Sequence, residues 1–189
     1  MSPIPIAGPA VEPVTLAEAK AFLRLDTAHE DDLVSALIVA ARHTLEGATG
    51  LRFVAQTWRS RLERWPPGRA VLLPFAPLLS VAAVRVAPAF GPVSVVTSTA
   101  YRLDGSADPP RLVVDPSAPE PGIATGGIEI DAVYGFGPAA SDVPAPLRLA
   151  IRRLVASWFE RRGDEAGEPA SLPGAVRALV IPYMRARLR

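Results

Sequence analysis

Between residues 15 and 50 the apolar positions recur at helical spacing. Leu16, Ala19 and Leu23 share one face, with Phe22 beside them, and Thr15 with Glu18 forms a capping box ahead of them. A short helix is therefore predicted over 15–24. Asp26 and Thr27 interrupt it. A second capping box, Thr27 with Glu30, opens a longer helix predicted over 28–49. Glu30, Asp31 and Asp32 fall in its first turn, where the helix dipole favours negative charge. Its apolar stripe reads Leu33, Leu37, Ala40, Ala41, Thr44 and Ala48, and Gly50 is placed to close it in a left-handed conformation.

After Gly50 the period changes to two. From Gln56 to Trp65 the chain alternates, with Trp58, Ser60 and Leu62 on one side and Arg59, Arg61 and Glu63 on the other. Short strands follow at 70–73, 79–87, 93–97, 100–103 and 111–114. A last strand sets Ile128, Ile130, Ala132 and Tyr134 against Glu129, Asp131 and Val133. Pro66-Pro67-Gly68, Gly91-Pro92, Asp104-Gly105 and Pro109-Pro110 punctuate the series, as turns require. Helical period returns at Pro144. Leu147, Ala150, Ile151, Leu154, Val155 and Trp158 make an apolar face, and Arg148, Arg152, Arg153 and Glu160 fall on the other. Pro173 opens a final helix with Val176, Leu179 and Val180 inward, and Pro182 must bend it.

The fold class implied is α+β: a four-helix core, two helices from each end of the chain, with an inserted antiparallel β module. The expected divisions are an extended, proline-rich N-terminal arm at 1–14, a helical core from 15–52 and 142–189, and a β module at 53–141. Leu33, Leu37, Ala40, Leu147, Ile151, Leu154 and Trp158 are the expected core positions.

The composition narrows the function. At 189 residues and 49% hydrophobic, the chain is long enough to bury a core. No apolar run reaches membrane-spanning length. Met1 to Val14 carries no positive charge ahead of its apolar residues, unlike a secretory signal, so synthesis in the cytoplasm is expected. With no cysteine, disulfides and thiolate chemistry are excluded. His29 and His43 are the only histidines, and no acidic cluster completes a ligand set around them, so neither metal nor cofactor is expected.

No phosphate-binding glycine motif occurs: Gly135-Phe136-Gly137 runs into a proline rather than a helix. No nucleophile elbow occurs, and Glu129 and Asp131, on one strand face, also fit an ordinary solvated surface. A non-enzymatic protein is expected. Residues 1–52 carry four basic and seven acidic groups, whereas 142–189 carry nine basic and five acidic, so copies could meet head to tail. The net charge of +1 is small for a protein that reads DNA sequence.

The segments Val14-Thr-Leu-Ala-Glu-Ala-Lys-Ala-Phe-Leu-Arg-Leu-Asp26, His29-Glu-Asp-Asp32, Leu37-Ile-Val-Ala-Ala-Arg42, Leu45-Glu46 and Thr49-Gly50 resemble the opening of the phage head–tail connector (adaptor) family. Gln56-Thr57-Trp58, Pro77-Leu78, Ser80-Val81, Tyr134-Gly135, Val143-Pro144 and Leu149-Ala-Ile151 extend the resemblance to about Tyr183. The likeness is to the version found in long-tailed phages and in phage-derived gene transfer agents.

It implies a virion structural protein: a cyclic ring, commonly of about twelve copies, in the neck between capsid and tail. Its partners would be itself, the portal, the stopper or another tail protein, and double-stranded DNA passing through the channel. No membrane is involved, and the family implies no catalytic residues. Another neck protein (a stopper or head-completion protein) or a DNA-binding protein are the alternatives.

Two sets of contact residues are expected. Arg177, Tyr183, Met184, Arg185, Arg187, Leu188 and Arg189 combine apolar anchors with arginine forks, as a portal-docking peptide would. Glu30, Asp31, Asp32, Arg148 and Arg152 are candidate subunit or channel contacts.

Overall fold

The structure is a computed structural model that describes residues 3–123, 125–161 and 172–184. Its backbone falls into two compact units. One is built from Met1–Ala10 and Ala55–Phe136, the other from Val11–Val54 and Gly137–Arg189. The class is α+β.

The first unit is all β. Strands β1 (Ile4–Ala7), β2 (Gln56–Leu62), β3 (Ala70–Leu72), β4 (Leu78–Val86), β5 (Ser94–Val95), β6 (Tyr101–Asp104), β7 (Arg111–Val114) and β8 (Ile128–Tyr134) form two antiparallel sheets. The five-stranded sheet runs β1-β2-β8-β4-β5, and the three-stranded sheet runs β3-β7-β6. Ile128, Ile130, Ala132 and Tyr134 alternate inward from β8 and meet Val71, Leu73, Leu112 and Val114 in a shared core. Alternation along a pleated strand places these residues on one face, as the sequence predicts. Edge-on contacts between Trp58 and Phe75 (4.8 Å) and between Phe75 and Tyr134 (5.5 Å) extend this core.

Within the extended N-terminal arm, Ile4–Ala7 is the edge strand of the larger sheet, with Ile4 opposite Arg59 and Pro5 opposite Trp58. An unpaired β2 edge would expose its backbone groups, and an arm rich in proline suits an edge strand, where a missing N–H breaks no inner ladder.

The second unit is helical: α1 (Leu16–Leu23), α2 (Asp31–Thr49), α3 (Ala145–Glu160) and α4 (Gly174–Val180). The Thr15–Glu18 capping box forms in both directions, and Gly50 closes α2 with φ 75°. The Thr27–Glu30 box does not form. Residues 28–30 make a turn instead, and α2 starts at Asp31, with Glu30 at the N-cap position but no capping hydrogen bond from its side chain.

The buried stripe of α2 is also displaced. Val34, Ile38, Ala41, Leu45 and Thr49 are buried, together with Arg42 and Glu46. Ala40 is exposed, and Leu33 and Leu37 are half-buried. Moving a helical stripe by one residue rotates it by about 100°. Arg42 and Glu46 lie on the buried face, so a stripe drawn from apolar and small residues is turned away from it. On α3, Leu147, Ile151 and Leu154 are buried as expected, whereas Trp158 is only half-buried.

Candidate docking surfaces

The C-terminal segment begins where Pro173 precedes α4. Val176 and Val180 are buried, which leaves Arg177 on the exposed face. Pro182 sits in a short 3-10 turn, Ile181–Tyr183, that ends the α-helix. Tyr183 is half-buried, while Ile181 and Met184 are exposed. Ala48, Leu172, Arg177 and Met184 line a shallow cleft of about 270 Å³. Arg177 and Met184 thus come together, with Tyr183 next in the chain. Arg185, Arg187, Leu188 and Arg189 lie outside the described residues.

The acidic and basic candidates on the other helices are partly engaged within the chain. Asp31 accepts a hydrogen bond from Lys20 Nζ at 2.5 Å, and Asp32 is exposed. Arg148 donates to Glu18 Oε1 (2.5 Å) and to the Pro13 carbonyl (3.1 Å), tying α3 to the start of α1. Arg152 lies over the Phe22 ring, 6.0 Å from its centroid. The Thr15 backbone hydrogen bond, followed by the Thr15 hydroxyl and the Arg148 charge, holds the Glu18 carboxyl below its ordinary range.

Two charge networks were not expected from the sequence. In the helical unit, Arg42 grips Glu12 with two hydrogen bonds (2.7 and 3.0 Å) and reaches Glu46 at 3.4 Å. Glu46 also accepts the Phe53 N–H at 2.8 Å. Burial opposes the Arg42 charge, but the Glu12 and Glu46 carboxylates outweigh it and raise the guanidinium's affinity for its proton. The i, i+4 spacing of Arg42 and Glu46 was the available signal.

In the β unit, Asp131 accepts two hydrogen bonds from Arg59 (2.6 and 2.8 Å) and one from Arg85 (2.6 Å). Glu129 pairs with Arg59 and Arg61. Asp131 is only 6% exposed. Hydrogen bonding from Arg59, supported by Arg85, holds its carboxyl below the ordinary aspartate range despite that burial.

These surroundings account for the altered carboxylates through arginine pairing and local hydrogen bonds. Asp104 likewise is lowered by Arg111 and Ser106, and Asp115 by Ser117. No group of three or more metal-ligating side chains occurs among the described residues, and none of their helices is long and apolar enough to cross a membrane. The arrangement suits docking and rigid support: apolar clefts, exposed apolar side chains and arginine-rich faces.

Residues 13–86 match the model of the phage gp6-like head-tail connector protein family. A solved chain from the neck of an empty gene transfer agent (GTA) particle, computed with C6 symmetry, is 30% identical, with a TM-score of 0.81, over 100% of this chain and 98% of that one. The chain belongs to the head–tail connector family. A chain in the virion of a native gene transfer agent particle is 28% identical with a TM-score of 0.81, again over 100% of this chain and 98% of that one. A chain from the neck of a native GTA particle, computed with C12 symmetry, is 29% identical with a TM-score of 0.79 and the same coverage. No curated protein matches the chain. The family segment contains α1, α2 and the Arg42–Glu46 pair, and it ends at the last residue of β4.

Proposed function

We propose that this protein is a non-enzymatic neck subunit that forms a closed ring, docks on the portal of a phage-like or gene-transfer-agent particle, and carries the stopper and tail. Double-stranded DNA passes through the ring without sequence-specific binding. The protein is made in the bacterial cytoplasm and assembled between capsid and tail. The observation that carries this reading is the full-length likeness to chains from GTA necks computed with C6 and C12 symmetry. A cyclic ring of identical chains requires two different surfaces of each copy to meet.

Within that assembly, the helical segments 15–52 and 142–189 form the ring body, the β segment 53–141 is its insertion, and the 1–14 arm helps to dock it. Glu30, Asp31, Asp32, Arg148 and Arg152 face neighbouring subunits or the channel. Asp31 and Arg148 offer only the hydrogen-bonding capacity that Lys20, Glu18 and Pro13 leave them. Imaging of purified particles tests the reading: the chain is expected as a closed ring between portal and tail. A scatter of copies over the capsid would overturn it.

The portal-docking element is the C-terminal segment, with Arg177, Tyr183, Met184, Arg185, Arg187, Leu188 and Arg189. Pro182 ends the helix just before it, and exposed Met184 and Arg177 already share a cleft. Removing 183–189 is expected to leave a folded, soluble chain that no longer joins portal-bearing heads. Normal incorporation of the truncated chain would move the docking role to the N-terminal arm.

A further inference from the structure

The β4–β5 hairpin carries an apolar tip that is exposed among the described residues. From Val86 to Tyr101, sixteen residues pass without a charged side chain. Phe90, at the turn, is 93% exposed, and Val93 and Val95 beyond it are also exposed. The turn itself is braced. Gly122 donates its N–H to the Ala87 carbonyl at 2.9 Å. It lies so close to Ala89 that a Cβ on Gly122 would fall 1.9 Å from the Ala89 nitrogen. The Phe90 ring thus projects from a turn that packs against Gly122. An aromatic side chain buries about 150–250 Å² when it finds a pocket, and a lone exposed one on a braced turn is the form an interface anchor takes.

The helical unit offers a matching recess. A cavity of about 550 Å³ has Val14 and Ile38 in its floor, exposed Val11 and Val39 at its rim, and Pro138 and Ala139 as a wall. Its one charged lining residue, Glu12, is already gripped by Arg42. The recess therefore asks for an uncharged, apolar guest.

We propose that the Phe90 tip of one copy seats in the Val11–Val39 recess of the next copy around the ring. Tip and recess belong to different units of the chain, so the contact is heterologous, which is the kind that cyclic closure needs. Both surfaces are free of unpaired charge, so seating costs little desolvation of polar groups. Strand addition at the edges of the five-stranded sheet is poorly served: Pro5 removes a backbone donor from edge strand β1, and β5 is only two residues long. The tip lies beyond residue 86, where the family match ends. This contact presupposes the ring proposed above.

The absence of native cysteine makes the contact directly readable. Full-length chains carrying both Phe90→Cys and Val39→Cys, assembled in particles and oxidised, are expected to give a ladder of disulfide-linked multimers. Each single variant should stop at dimer or monomer, and Leu72→Cys with Val39→Cys should give no ladder. Phe90→Asp should lower ring incorporation by about tenfold or more while leaving the unfolding midpoint unchanged, since so exposed a ring supports little of its own fold. Rings that image normally but give no ladder, or that admit Phe90→Asp at wild-type levels, would overturn the contact. So would a Phe90→Asp chain that forms rings and fails only to recruit the next neck protein, because the tip would then serve a different partner. Particles in which imaging finds no ring at all would instead overturn the neck reading and take this contact with it.

Discussion

Arg42→Met is expected to destabilise the protein by about 3–5 kcal/mol. The guanidinium lies between Glu12 and Glu46, and Glu46 is 2% exposed. Without it, the Glu46 charge stays in a poorly hydrated site, and that residual charge dominates the cost. Chemical denaturation at pH 7, followed by the helical signal, measures the loss. A companion variant isolates the cause: Glu12→Gln and Glu46→Gln added to Arg42→Met should recover most of it, because the glutamine carbonyl at 46 still accepts the Phe53 N–H. A single variant as stable as the parent would show that the network contributes nothing.

Asp131→Asn is expected to cost about 2 kcal/mol at neutral pH, the scale of charge-assisted hydrogen bonds lost to two partly exposed arginines. The pH dependence has a definite sign. The folded-state value for Asp131 is depressed, so its contribution is complete above the unfolded aspartate value of about 4 and is lost as pH falls through the folded value. The parent should therefore lose stability steadily from about pH 4 downward. The Asn variant should lose less over the same interval, so the two curves converge in acid. Parallel curves would place the acid sensitivity elsewhere, with Glu18 the next carboxylate to test.

Both networks show why some features were readable in the chain and others were not. The β strands follow from alternation, because Ile128, Ile130, Ala132 and Tyr134 share one strand face and all four enter the β core. Thr15–Glu18 and Gly50 follow from local backbone chemistry. The α2 face did not, since a charge at Arg42 or Glu46 reads as solvent until its partner is known, and Glu12 lies thirty residues earlier. Asp131 reads as a solvated strand residue for the same reason; its two arginines come from the neighbouring strands β2 and β4. Of the docking residues, Pro182 marks the helix end in the sequence. The pairing of Arg177 with Met184 in one cleft depends on how α4 packs, which no local pattern contains.

The route of the chain bears on how the protein is made. It leaves the β unit after Ala10, returns at Ala55, and leaves again after Phe136. A growing chain therefore holds β1 without its ladder until β2 emerges some fifty residues later, and β2 in turn waits for β8. The β unit nevertheless has all its strands by Tyr134, whereas α1 and α2 must wait for α3 at Ala145–Glu160 before their apolar faces are covered. At ribosomal speeds of about 5–20 residues per second, that interval lasts several seconds. During it the first helices present bare Val34, Ile38 and Leu45 to the cell, and it is then, rather than after release, that the chain is most exposed to mispairing with its own copies.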